Sequence, residues 1–255
     1  MTSRWVDIYE TQGKGGGAYS YGDNVNAHPF VLMNYSDTAE SMFTLAHEMG
    51  HAMHSYLANT TQPYPKARYS IFVAEVASTL NEGLLLQHLL KRVKETGERL
   101  YLLDRQLNGT MGTFFHQVMY ARFELAIHEH VENGGALSPD FMTALWRDLT
   151  QKYYGPDVVM DDDTPLKWSR IPHFYRAFYV YQYATSFAAS QAILKKVIDG
   201  EPGIIEKYLT MLKAGGSDYP IELLKICGID MNTPEPVLAT IEMFDSLVKE
   251  MDSLT

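Results

Sequence analysis

Beyond position 37, apolar residues recur at three- and four-residue intervals, the spacing of helices with one buried face. The pattern predicts helices over residues 38–58, 69–95 and 99–132. Ser138-Pro139 opens a fourth, since proline suits a first helical turn. A loop follows over 154–165, then a helix over 174–199 and shorter ones over 203–214, 218–227 and 234–252. Asp37 with Glu40 has the pattern of a capping box ahead of the first apolar run. Residues 1–36 are different in kind. The stretch GKGGGAYSYGDN reads as loop and tight turns, and Pro29 to Tyr35 is short, β-branched and apolar, an edge strand. No internal repeat or low-complexity linker interrupts the chain. The fold expected is mainly α: a single multi-helix domain over 1–255, with a small β element near the N-terminus.

Composition narrows the function classes. With 46% hydrophobic and 20% charged residues, the 255-residue chain can bury a sizeable core. Its net charge of -10 comes without any clustering of Lys and Arg, so nucleic acid is not an expected partner. No segment approaches the apolar length that spans a membrane, and MTSRWVDIYE lacks the apolar stretch of a signal peptide. The one cysteine, Cys227, allows no internal disulfide and fits a reducing compartment, so the cytoplasm is the expected location. It lies in an apolar run and reads as a buried structural thiol. Asp161-Asp162-Asp163 lacks the spacing of a calcium loop and reads as a solvated turn.

The chemistry concentrates at His47-Glu48-Met49-Gly50-His51. Residues four apart stand on one face of a helix, so both imidazoles can reach one ion. Glu48 points in a neighbouring direction and can serve as general base beside a metal-activated water. A catalytic zinc needs a third protein ligand and an open position. Glu75, 24 residues after His51 and early in the next helix, is the candidate. The plain alternative is two surface histidines. The flanking Phe43, Leu45, Ala46, Met49, Ala52 and Met53 argue for a helix buried nearly all round, where unpartnered imidazoles would be costly. Gly50 permits another backbone to approach closely. Glu82 falls on nearly the same face as Glu75; a solvated helix face is its simpler reading, support of a ligand the other. His54, one turn past His51, reads as packing or support, because a fourth protein ligand would close the site.

A second constellation, HFYRAFYVYQY from His173 to Tyr183, puts Tyr175, Tyr179 and Tyr183 at i, i+4, i+8 on one helical stripe. Such a stripe is commonly core, but phenols beside a histidine can also donate to an oxyanion.

GAYSYG, HPFVLMNY, HEMGHAMHS, FVAEVASTLNE and HFYRAFYVYQYATSFAAS together make the chain resemble the oligoendopeptidase F group of the thimet oligopeptidase family of zinc metallopeptidases. The resemblance runs through essentially all 255 residues. It implies a mostly helical zincin-type catalytic domain with a channel for short peptides. It also implies one zinc ion on His47, His51 and Glu75, with Glu48 as base. His173 would stabilise substrate, Tyr179 or Tyr183 the oxyanion with Tyr181 behind them, and His28 and Tyr19 would lie along the substrate. Family members are longer, so a C-terminal piece is expected, with the missing N-terminal half or self-association covering its exposed surface. Internal cleavage of oligopeptides is the leading function. Terminal trimming by a carboxypeptidase or dipeptidase, with Arg176, Arg170 or Lys167 holding a carboxylate, is the second. Zinc or peptide binding without turnover is the third.

Overall fold

A computed structural model describes residues 4–22 and 27–254. The chain is mainly helical. In order come β1 (Val6–Asp7), β2 (Tyr19–Tyr21), β3 (Phe30–Leu32), α1 (Ala39–Thr61), α2 (Tyr64–Ala67), α3 (Ile71–Leu90) and α4 (Thr96–Thr110). A π-helical turn (Met111–Phe115) leads into α5 (His116–Glu132) and α6 (Pro139–Tyr154). Two 3-10 turns (Thr164–Arg170, Pro172–Tyr175) precede α7 (Tyr181–Ile198), α8 (Ile204–Ala214), α9 (Pro220–Ile226) and α10 (Glu235–Asp252). The chain forms two compact units, one of Met1–Leu107 with Thr185–Thr255 and one of Asn108–Ala184.

In the larger unit α1 packs along α3. Helix α3 contributes Val76, Ala77 and Leu80 to a core that they share with Ala189 and Ile193 of α7, Met211 of α8 and Leu224 of α9. Each large aliphatic side chain withdrawn there contributes about 1.5–3 kcal/mol. Cys227 belongs to this core; its Sγ contacts Met211 Sδ at 3.8 Å, and burial pushes the thiol pKa up to about 12. The three strands pair in the order β1-β3-β2, β1 parallel and β2 antiparallel to β3, so β3 is the central strand and not the edge strand expected from its sequence. Strands this short are marginal alone. Val31 and Met33 hold them by packing on Ala52 of α1. Ser20 shares the inward face with Val31, while Tyr19, Tyr21 and Phe30 face out, each about half exposed. Asn34, just past β3, donates to the carbonyls of Gly15 and Gly17, which ties down the glycine-rich loop.

The smaller unit is built on α5 and α6. Met119, Phe123, Trp146 and Leu149 form its core, with Trp168 and Phe174 packed against them.

Several sequence expectations change. Thr38, not Asp37, caps α1, accepting the Ser41 amide at 3.2 Å, while Asp37 takes a left-handed φ of 56°. Met53 is 39% exposed, so α1 is not buried all round. Residues 174–180 are not α-helical: Phe174 and Tyr175 end a 3-10 turn, and α7 begins only at Tyr181. Phe178 has a φ of 54°, which breaks any helix. The three tyrosines therefore do not form one stripe, and Tyr175 stands 93% exposed in a 3-10 turn.

Gly50 marks the contact between α1 and α3. A Cβ there would lie 2.5 Å from the Ala77 carbonyl oxygen and 2.6 Å from Ser78 Cα. Those are backbone atoms of another helix and cannot swing aside. Alanine gains about 1 kcal/mol of helix propensity over glycine, yet an overlap of this depth forces the helices apart. Gly50→Ala is expected to lower unfolding free energy by about 1–3 kcal/mol, measured by urea denaturation. An unchanged midpoint would mean the helices do not meet there.

Candidate metal centre

His47 and His51 stand one turn apart on α1, and Glu75 lies on the first turns of α3. The glycine contact sets the two helices close enough for their side chains to converge. His47 Nε2 is 3.2 Å from His51 Nε2, and both nitrogens lie 3.4 Å from the same Glu75 oxygen, Oε2. Tetrahedral ligands about 2.0–2.1 Å from an ion would be about 3.3–3.4 Å from each other. The three donor atoms therefore match the edges of one coordination tetrahedron. They are also the group of His, Cys, Asp or Glu side chains that could hold a metal among the described residues. The donor chemistry, two imidazoles and a carboxylate, suits zinc and neighbouring divalent ions.

The surroundings orient each donor. Glu82 Oε1 meets His47 Nδ1 at 2.8 Å, which leaves Nε2 to face the metal position. Arg105 Nη2 donates to Glu82 Oε2 at 3.1 Å and its Nε to Glu40 Oε2 at 3.0 Å. The guanidinium also lies 3.6 Å over the ring of Phe43. Ser78 Oγ donates to Glu75 Oε2 at 2.8 Å. Glu82 thus takes the supporting role that its spacing left open, and neither Arg105 nor Ser78 was singled out by any motif.

Electrostatically the centre draws positive charge. Burial disfavours ionised Glu75, but hydrogen bonds and charge from His51, with His47 and Ser78, outweigh it and hold the pKa at about 2. Burial likewise opposes protonated His47, and the hydrogen bond to Glu82 and the nearby carboxylates overcome it, so its pKa is raised. Glu48 is 7% exposed. Desolvation raises its proton affinity, against the two imidazoles, which lower it. His54 is no ligand. It stacks on Tyr69 at 3.5 Å, and burial first, then the charge of His51, push its pKa down to about 3.

Two clefts flank the centre. One of about 560 Å³ is lined by Met33, Asn34, Thr44, His47, Glu48 and Arg105. The other, about 290 Å³, is lined by Ser20, Tyr21, His51, Ser55, Tyr69 and Glu75. The Ser20 hydroxyl is buried there with no hydrogen-bond partner among the described residues. Tyr19 stands on the outward face of β2. His28 stacks on Trp5 at 5.2 Å and 8°, its Nδ1 2.8 Å from the Pro29 carbonyl.

His173, Tyr179 and Tyr183 belong to the smaller unit and come together there. The rings of His173 and Tyr179 stack at 5.6 Å and 3°, and Tyr183 O–H donates to the Tyr179 hydroxyl at 3.2 Å. Tyr181 opens α7 and is 40% exposed.

Residues 1–243 match the family model described as peptidase family M3. The chain is similar to oligopeptidase PepF of Bacillus subtilis, 47% identical over all of this chain and 38% of that protein. It is 40% identical to group B oligopeptidase PepB of Streptococcus agalactiae, over all of this chain and 42% of the relative. Among solved structures, oligoendopeptidase-F from Enterococcus faecium superposes with a TM-score of 0.76 at 41% identity, covering 84% of this chain and 39% of that one. A crystallised chain from Chlamydophila abortus gives 0.90 at 42% identity, covering 98% and 42%. The chain thus spans about two fifths of the length of these relatives.

The His47–Glu82 contact can be checked without any catalytic assay. Glu82→Ala is expected to weaken zinc binding by about 10–100-fold, read by competition with a chromophoric chelator. An unchanged Kd would remove Glu82 from the support of His47.

Proposed function

Because the chain belongs to peptidase family M3, a family of metallopeptidases, we propose that it hydrolyses internal peptide bonds of short oligopeptides, with one zinc ion on His47, His51 and Glu75 and Glu48 as general base. One observation carries this reading: the triangle of two imidazole nitrogens and one carboxylate oxygen with edges of 3.2, 3.4 and 3.4 Å. Two His and one Glu is a recurring catalytic zinc set that leaves a position for water. When bound, zinc supplies Lewis acidity and lowers the pKa of a coordinated water toward about 7.

The remaining work falls to side chains. Glu48, buried and with a raised proton affinity, takes a proton onto its carboxylate from the attacking water and returns it to the leaving amine nitrogen. Glu82 and Arg105 keep His47 in one orientation. The two clefts flanking the centre offer room for substrate on either side of the scissile bond. His173, Tyr179 and Tyr183 supply donors for the oxyanion. The family resemblance and their mutual stacking support this role. Since Tyr183 spends its hydrogen on the Tyr179 oxygen, Tyr179 is the better oxyanion donor and Tyr183 its support. His28, Tyr19 and Tyr181 contact the peptide. The buried free thiol of Cys227 suits a reducing, cytoplasmic setting.

The test is cleavage of a short, end-blocked, internally quenched peptide, with a chelator and with zinc restored. Zinc-dependent internal cleavage supports the reading. Cleavage of free-ended peptides alone would favour a terminal-trimming enzyme. No cleavage by a zinc-loaded chain would favour binding without turnover, or a need for the remainder of the longer relatives. Glu48→Gln is expected to lower kcat by about 100- to 10,000-fold while zinc stays bound; retained turnover removes Glu48 from the base role. Tyr179→Phe is expected to lower kcat by about 100- to 1,000-fold with little change in KM. A loss confined to Tyr183→Phe would exchange the two roles.

A further inference from the structure

The segment from His173 to Tyr183 is bent around one residue. Phe178 has a φ of 54°, a left-handed conformation uncommon for any residue with a Cβ and an outlier for a bulky one. Its amide donates to Oε1 of Glu124 at 2.7 Å. Glu124 lies on α5, is 1% exposed, and has no part in the mechanism above. A buried carboxylate needs donors, and a strained backbone persists only where its surroundings fix it. Each requirement here answers the other. One helical turn further along α5, the ring of His128 lies 4.8 Å from the ring of Phe178. Neighbouring positions of one helix face therefore grip the backbone and the side chain of the same residue.

The bend decides where the flanking rings lie. Arg176 N–H donates to the His173 carbonyl at 2.9 Å, and Tyr179 N–H to the Arg176 carbonyl at 3.2 Å, so the chain folds back on itself. This return lets His173 and Tyr179 stack face to face. Tyr183 stands edge-on to both, at 5.9 and 5.5 Å. We propose that Glu124 is a positioning residue, whose buried carboxylate holds the Phe178 bend and so sets His173, Tyr179 and Tyr183 as one preformed group of donors. The inference rests on the reading that these three side chains act on the substrate. Glu124 acts through the backbone and does not touch the peptide. What the bend requires is an acceptor oxygen, not a negative charge.

The experiment pairs amide hydrogen exchange with peptide hydrolysis on the full chain. The Phe178 amide is expected to exchange slowly in the wild type and in Glu124→Gln, whose side-chain oxygen keeps the acceptor, and quickly in Glu124→Ala. In Glu124→Ala kcat is expected to fall between about 10- and 100-fold, with KM and zinc affinity unchanged, and Glu124→Gln is expected to stay near the wild type. A rapidly exchanging Phe178 amide in the wild type would overturn the proposal, as would wild-type kcat in Glu124→Ala. If Glu124→Ala does not fold, the Gln variant decides: a protected amide and near-normal kcat support the proposal, and loss of either overturns it. Absence of hydrolysis by the wild type, or a kcat indifferent to Tyr179→Phe, would sink the catalytic reading instead. The exchange data alone would then say whether Glu124 holds the bend.

Discussion

The close approach of α1 and α3 at Gly50 is the constraint on which the candidate centre depends. Two helices can bring three donor atoms to one point only if their backbones nearly touch beside those donors. Gly50 sits between the metal-facing histidines, and across from it lie Ala77 and Ser78, within one turn of Glu75. No side chain separates the helices there, so the carboxylate of one reaches the imidazoles of the other. Much of the larger unit braces that contact. The core formed with α7, α8 and α9 packs on α3 and takes in Ala77, and the small sheet packs on α1 through Ala52.

Around this contact the charges form a chain that alternates in sign. Glu40 and Glu82 share Arg105, Glu82 holds His47, and Glu75 faces both imidazoles. Any one of these groups buried alone would be costly. Together they satisfy most of one another, with the carboxylates in excess at the convergence point. The raised proton affinity of His47, drawn up against its burial by Glu82, Glu75 and Glu48, is the sign of that excess. A divalent cation relieves it in a way that a proton on one ring does only partly.

Much of this was legible in the sequence, and the reasons are local. His47 and His51 are related by helical spacing alone, and the separation of Glu75 from His51 leaves room for a helix end, a turn and a return, with the resemblance of FVAEVASTLNE pointing to Glu75. Gly50 could be read because a glycine inside an apolar helix asks for a packing reason. The parts that escaped depend on tertiary partners. Arg105 lies 23 residues from Glu82 on another helix, and no periodicity links them. Glu124 shares an amphipathic helix with Phe123, and nothing in its spacing says that it turns inward toward a distant amide. The tyrosine stripe was misread for a related reason. The sequence HFYRAFYVYQY has helical spacing, but a long-range bond to Glu124 stabilises a left-handed Phe178 in its middle. Local periodicity carries no information about that bond.

The deep placement of Cys227 has a practical corollary. The thiol is the sole one in the sequence, it is fully enclosed, and with a pKa near 12 it carries almost no thiolate at neutral pH. The native surface is therefore silent to maleimides and other thiol-selective reagents. A single cysteine introduced at any exposed position becomes the only reactive one, so a fluorophore or spin label can be placed on either compact unit without first removing a native residue.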